Sequence, residues 1–302
     1  MAITTWDEIR TAYHVARVGT VSGAAEALGV HHATVIRHVD ALEAQLGVRL
    51  FQRHARGYTA TEAGEDLLRV AQATDDQFAQ LAGRLKGRGA GVSGELVVTS
   101  LDALSPLLTP TMVRFRAAHP EVTLRSTTGP RVLRLEYGEA HVAIRAGAAP
   151  QEPDNVVQPF GTLDAVLCAA PDYLARRGRP GSDGDLAGHD FVGPEDPESR
   201  APFHRWLAGA VPAERVVFRA RDDRVGQDAV RAGAGLGFMP AACAALDPGV
   251  EVVMGPRADW SAPLWLVTHV DLHRTPKVQA FLSFLKEEAR SWPDRQASAA
   301  GA

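Results

Sequence analysis

Cysteine is nearly absent from this chain: 302 residues contain two, Cys168 and Cys243. They stand far apart and show no metal-ligand spacing, which argues against a disulfide framework or a zinc module. Each sits in an apolar stretch, AVLCAA and PAACAAL, as small buried hydrophobes do. No run of about 18 uncharged apolar residues occurs, so no transmembrane helix is expected. The N-terminus, MAITTWDEIR, has no basic segment followed by an apolar core and does not read as a secretory signal. A cytoplasmic protein away from membranes is the expectation. Excess positive charge is lacking too, with a net charge of −4. Local charge, however, governs affinity for a charged partner. Residues 1–60 hold six arginines against five acids, with five histidines besides. The catalytic signatures G-x-S-x-G, P-loop and H-E-x-x-H are missing, and RAGAGLGFMP lacks the third glycine of a dinucleotide fingerprint. The acids between Gly178 and Arg200 match no calcium loop and read as polar turns. Neither enzyme activity, nor a cofactor, nor a metal is implied.

What is present begins with VSGAAEALGVHHATVIRHVDALEAQLGVRL, Val21 to Leu50. Leu28, Val30, Val35, Val39 and Leu42 repeat at helical spacing, Ala24 and Ala25 permit a close crossing, and Gly29 falls where a turn needs positive φ. His31, His32, Thr34, Arg37 and His38 are left facing outward. This is the pattern of a helix-turn-helix, whose second helix reads bases in the major groove with its N-terminal residues. LFQRHARGYTAT then reads as a β-hairpin wing. From Ala44 to Thr61 there are three arginines, Arg49, Arg53 and Arg56, and no acid, which suits phosphate contact.

With AAEALGV, ALEAQLGVRLFQR and TEAGEDLL in this order and spacing, the chain resembles the LysR-type transcriptional regulators over nearly its whole length. The resemblance implies a winged helix-turn-helix, a long linker helix and a C-terminal two-lobed α/β effector domain similar to periplasmic binding proteins. It implies homodimers or homotetramers on a double-stranded DNA operator. The chain departs from the family at the recognition helix. Where the family commonly has Ser-Gln-Pro-Ala-Val-Ser, it has His31-His32-Ala33-Thr34-Val35-Ile36. The base-reading glutamine position is His32, whose two nitrogens point from opposite ring edges and cannot copy a bidentate grip on adenine. Ile36 offers only an apolar contact to a thymine methyl, and Arg37 offers a fork for guanine. A different operator sequence is expected.

Thr61 is placed to cap a helix through TEAGEDLLRVAQATDDQFAQLAGRLKG. Leu67, Ala71, Thr74, Phe78, Leu81 and Leu85 recur at steps of 4 and 3, a heptad seam expected to bury itself against a partner helix in a dimer. Glycines between Gly83 and Gly94 then mark a hinge. The expected domains are therefore 1–60 for DNA binding, 61–87 for the linker helix, 88–94 for the hinge and 95–292 for the effector domain, with a disordered tail at 293–302.

From Glu95 strands and helices alternate, which implies βαβ units and a mostly parallel sheet. Lobe I is expected at about 95–160 and 265–292, and lobe II at about 161–264. Ligands of open α/β sheets lie beyond the C-terminal strand ends. That rule selects Thr99, Ser100, Leu101 and Asp102 after one strand, Thr127, Thr128 and Gly129 after the next, and Arg145 after a third. In lobe II it selects Arg224 and Phe238. With hydroxyls and an arginine fork in that set, a small anionic effector such as an organic acid is expected. The function expected is a sequence-specific transcriptional regulator controlled by that effector. Two other readings remain open: a cytoplasmic small-molecule-binding protein or enzyme with an appended helical domain, and an architectural DNA binder without sequence choice.

Overall fold

The computed structural model describes residues 6–54, 57–85, 92–129, 133–181 and 186–293. Arg56, the hinge glycines Gly87, Gly89 and Gly91, and the tail from Asp294 lie outside the described residues. The chain divides into two compact units, Met1–Gly91 with Glu136–Glu139 and Val92–Leu135 with Ala140–Ala302.

In the first unit, α1 (Trp6–Val18), α2 (Val21–Leu28) and α3 (His32–Leu46) precede the short strands β1 (Phe51–His54) and β2 (Gly57–Ala60) and the long helix α4 (Glu62–Leu85). Thr20 starts α2 by accepting the Gly23 N–H at 3.2 Å. Gly29 ends it in the left-handed region at φ 65°, where a side chain would be strained. Ala24 and Ala25 are buried in one core with Val35, Val39, Leu42, Leu50 and Phe51, so the small residues do let α2 pack closely. Thr61 caps α4, its hydroxyl accepting the Gly64 N–H at 3.2 Å. Gly64 itself is required by contact: a Cβ there would lie 2.1 Å from the Leu50 carbonyl oxygen.

The second unit opens with β3 (Gly94–Ser100), α5 (Ser105–Ala118), β4 (Val122–Thr128), β5 (Val142–Ala146) and β6 (Asn155–Leu163). It crosses over to β7 (Ala165–Ala169), α6 (Pro171–Arg177), β8 (Phe191–Pro194), α7 (Pro202–Ala210), β9 (Val216–Ala220), α8 (Asp223–Arg231), β10 (Gly237–Pro240), α9 (Ala241–Ala245) and β11 (Glu251–Met254). It returns through β12 (Ala262–His269), α10 (Val270–His273) and α11 (Pro276–Glu288). Lobe I is a five-stranded sheet in the order β4-β3-β5-β12-β6. The expectation of a mostly parallel sheet holds for β3 with β4 and β5, but β12 runs antiparallel to both β5 and β6. The sheet carries β6 to Leu163 and resumes at Ala262, so the lobe boundaries sit three residues inside those expected from sequence. Phe115 of α5 and Phe281 of α11 meet edge to face at 5.2 Å in the core under this sheet.

Lobe II has an antiparallel sheet, β10-β7-β11, and a parallel pair, β8 with β9. The stretch from Gly178 to Arg200 is not only polar turn, because it contains β8, whose Phe191 is fully buried. Four apolar or small residues between two turn clusters are too short for any periodicity to show.

The Gly64 contact is with backbone, which cannot swing aside. Gly64→Ala should destabilise the first unit by roughly 1–3 kcal/mol or more. A Cβ at Gly209 meets nothing within 4 Å, so Gly209→Ala should be neutral or mildly stabilising. Urea titration of both variants checks the contrast.

Candidate DNA-reading helix and ligand cavity

At the start of α3, His31, His32, Ile36 and Arg37 are exposed and Thr34 is half-buried, while Val35 and Val39 hold the opposite face in the core. Arg37 has no ion-pair partner among the described residues. His38, expected to face outward, is half-buried because helix α1 covers it: its Nδ1 lies 2.9 Å from Thr11 Oγ1. The Thr11 hydroxyl already donates to the Asp7 carbonyl at 2.7 Å, so it accepts from His38 Nδ1–H. That leaves Nε2 as the acceptor of the neutral ring, a group suited to a base amino hydrogen rather than to guanine O6 or N7.

The wing arginines are not unopposed. Arg49 donates to Glu43 Oε2 at 2.7 Å, and Arg53 pairs with both Asp40 and Glu43. These acids stand in α3 just before the acid-free stretch, one turn apart, and the wing folds back onto them. Glu43 is buried, and its other oxygen accepts the Leu50 and Phe51 N–H groups at 2.8 and 3.1 Å. Burial alone would raise its pKa. The Arg49 bond, the two backbone N–H groups and the Arg53 charge outweigh it and hold the carboxyl below its ordinary range. Arg53 also lies over the Tyr58 ring at 5.4 Å. Arg53 thus fastens the wing, whereas Arg49, 73% exposed, keeps much of its guanidinium toward solvent.

The linker seam divides. Ala71 is buried and Leu67 packs on the unit's own core, because α1 lies along the first turns of α4. Thr74 returns its hydroxyl to the Val70 carbonyl at 3.0 Å. Phe78 is 54% exposed and meets the exposed Trp6 edge-on at 5.9 Å. The side chains of Leu81 and Leu85 lie outside those described.

In the second unit a cavity of about 760 Å³ opens between the two lobes. Of the residues selected from strand ends, Leu101 and Phe238 line it. The others do not, for reasons the fold supplies. Thr127, Thr128 and Gly129 end β4, the outermost strand of the sheet. Neighbours on a strand face opposite ways. Ala146 therefore reaches the cavity, while Arg145 donates to the Leu133 carbonyl at 3.0 Å and pairs with Glu152. Thr99 and Ser100 stop one step short of Leu101. Asp102 accepts the Arg224 N–H at 3.0 Å, and the Arg224 side chain pairs with Asp228.

Sequence reasoning missed most of the wall: the segment from Glu198 to Arg205 that leads into α7, with Gln227 and Ser261. Gln227 carried a signal, since it interrupts the buried face of α8 four residues after Asp223 and three before Val230. Burial, followed by the nearby Asp102 and Asp222 carboxylates, pushes the Asp223 pKa up to about 6. Ser199 Oγ lies 2.9 Å from His204 Nδ1, and burial drives that histidine down to about 4, so it is neutral at neutral pH. Ser261 donates to Asp164 at 2.6 Å, tying together the two chain crossings between the lobes.

Residues 6–65 match the model of the bacterial regulatory helix-turn-helix proteins of the lysR family, and residues 89–290 match the LysR substrate binding domain. The chain belongs to the LysR family. Members of this family are transcription regulators, which sets aside the reading as an enzyme with an appended helical domain. The chain is 38% identical over 170 residues to the transcriptional activator IlvY of Salmonella typhimurium, covering 54% of this chain and only 57% of that protein. Over 292 residues it is 28% identical to an HTH-type transcriptional repressor of Pseudomonas aeruginosa, with 93% of this chain and 91% of that protein aligned. Full-length LysG of Corynebacterium glutamicum, solved with its effector Arg bound, aligns with 95% of this chain and 98% of its own at a TM-score of 0.62 and 21% identity. A likeness at that identity is one of fold.

The Glu43 network makes a pH prediction for this LysR-family chain. A carboxyl held low in the folded state stabilises above its unfolded pKa and loses that contribution as pH falls through the folded value. Glu43→Gln should therefore destabilise the first unit at pH 7, by about 1.5–3 kcal/mol for the weakened charge-assisted hydrogen bonds, and by progressively less toward pH 3. Equal destabilisation at both pH values would refute the ionic role assigned to Glu43.

Proposed function

We propose that this protein is a sequence-specific transcriptional regulator that binds double-stranded DNA through α3 and answers to a small molecule held between its lobes. The observation that carries the reading is the exposed N-terminal face of α3, His31, His32, Ile36 and Arg37, on a helix set by the Gly29 turn. Arg37 is the base-reading arginine: it is free of carboxylates among the described residues, and its fork fits guanine O6 and N7. Arg49, with Arg56, holds phosphates. Operation in the cytoplasm follows from DNA as the partner, and among the described residues no helix is long and apolar enough to cross a membrane.

The protein works as a homodimer or homotetramer, since two recognition helices must meet half-sites a helical turn or a multiple of it apart. Exposed Trp6, Val70 and Phe78 support pairing through the α1–α4 surface of the first unit. The ligand cavity supports effector control. An effector shifts DNA binding only as far as it distinguishes two states of the assembly.

Binding to the DNA upstream of the protein's own coding sequence, compared with random DNA in a mobility shift, tests the regulator. Arg37→Ala should weaken operator binding by about 1–3 kcal/mol and leave random-DNA binding nearly unchanged. Equal weak binding to both DNAs, indifferent to the substitution, would refute the assignment and favour an architectural binder. Phe78→Glu should shift the sedimentation profile toward monomer and lower operator affinity with it. An unchanged profile would move the dimer contact elsewhere.

A further inference from the structure

The features of the cavity that suit an anion are already engaged. The N-terminus of α8 could face an anion, but its Arg224 N–H is bonded to the Asp102 carboxylate at 3.0 Å. The first residue of that helix, Asp223, puts its carboxylate on the cavity wall. Arg145 is held outside by the Leu133 carbonyl and Glu152. Arg200 and Arg205 belong to the wall but are exposed, and so remain hydrated.

One turn beyond Asp223, Gln227 lines the same cavity and is 1% exposed. Neither its Oε1 nor its Nε2 has a hydrogen-bond partner among the described residues. Buried polar groups are almost always bonded, and an exception in a cavity points to the group that would satisfy it. An acceptor carboxylate and an amide, four residues apart on one helix, share a face, so the amide oxygen can accept from the same donor as the carboxylate. Around them the wall is hydrocarbon, with Leu101, Leu163, Phe203, Phe238 and Met239.

We propose that the cavity binds a compact apolar amine, its ammonium between Asp223 and the Gln227 side-chain oxygen and its hydrocarbon body against Phe203, Phe238 and Met239. This replaces the anionic effector expected from the strand ends, and it rests on the reading of the cavity as the effector site. The charges around Asp223 agree with it. Asp102 faces it from the segment after β3, and Asp222 adjoins it on its own helix. Arg224 and Asp228 of that helix are paired with each other. On the wall, Glu198 is exposed and hydrated as Arg200 and Arg205 are, and His204 of α7 is neutral. The excess near Asp223 is negative, which favours a cation.

The test uses the full chain and three primary amines, 2-phenylethylamine, cyclohexylmethylamine and hexylamine, each against the carboxylate of the same hydrocarbon frame. Thermal melting and tryptophan fluorescence report binding, the latter because Trp260 and Trp206 lie 4.9 and 5.9 Å from Phe238. At pH 7.5 the amines should raise the Tm and the carboxylates should not. Asp223→Asn should weaken amine binding by about tenfold or more. Without ligand it should melt no lower than the parent, because it relieves a carboxylate crowded by Asp102 and Asp222. Gln227→Leu should weaken binding several-fold and preserve the pH profile. Amine affinity of the unaltered protein should fall below about pH 6, where Asp223 takes up a proton. If only the carboxylates bind, and Ala148→Trp at the cavity wall blocks them, the ligand class is wrong and the effector cavity stands. Amine binding unaffected by Asp223→Asn overturns the proposal, as does a failure of every amine to bind. The regulator reading is judged separately, by operator binding.

Discussion

A carboxylate taken out of water must be answered on both oxygens, and in the DNA-reading unit that demand falls on Glu43. One oxygen takes the Leu50 and Phe51 N–H groups, and the other takes Arg49 and Arg53. The first pair fixes where the chain leaves α3 and enters β1. The second fixes the wing against the helix. Because β1 carries Phe51 into the core beside Leu42 and Leu50, the same carboxylate also sets the depth at which α3 is seated. The groups that form the exposed N-terminal face of α3 are thus held in place from the other end of the helix. Aspartate in place of Glu43 would be one methylene short of both partners.

The effector unit solves a different problem, that of enclosing about 760 Å³ without exposing its backbone. It does so by ending strands at the cavity and leaving their residues to alternate. Leu101 and Ala146 enter the space, while Arg145 is turned to a backbone carbonyl. Lobe II closes the other side with α7, α8 and β10. The result is a mostly apolar chamber with Asp223 and Gln227 on one helix and the exposed Glu198, Arg200 and Arg205 on another part of the wall. Specificity in such a chamber depends on those few groups, since hydrocarbon walls discriminate weakly.

The sequence was most informative where pattern and chemistry are local. The Gly29 turn, the buried stripe of α3 and the Thr61 cap could all be read from spacing, because each depends on residues within a few turns. The outward face of α3 was legible except at His38, whose cover comes from Thr11, 27 residues away. The wing arginines were misjudged for the same reason: their partners, Asp40 and Glu43, approach only when the hairpin folds back. In the effector unit the strand-end rule found Leu101 and Phe238 but could not tell inward from outward neighbours at Arg145 and Ala146. That choice is made by sheet register. The rule was silent about α7 and touched α8 only at Arg224; both helices reach the cavity from the side of the sheet rather than from a strand end. A mostly parallel sheet was expected from the alternation of strands and helices, but β12 returns from a distant part of the chain, and its direction is set by where lobe II releases it.

That return has a further consequence. Lobe II leaves lobe I after Leu163 and re-enters at Ala262, so it is an insertion with no covalent connection to the rest of the molecule except through lobe I. The two crossings run side by side, joined by Ser261 and Asp164, and both border the cavity. Two tethers fastened together form an axle. The easiest motion such a joint allows is rotation of the inserted lobe about the line of the crossings, with the cavity opening or closing as the angle changes. Any torque a ligand applies must then be delivered to lobe I, whose first strand, β3, follows directly from the segment leading out of the DNA-reading unit.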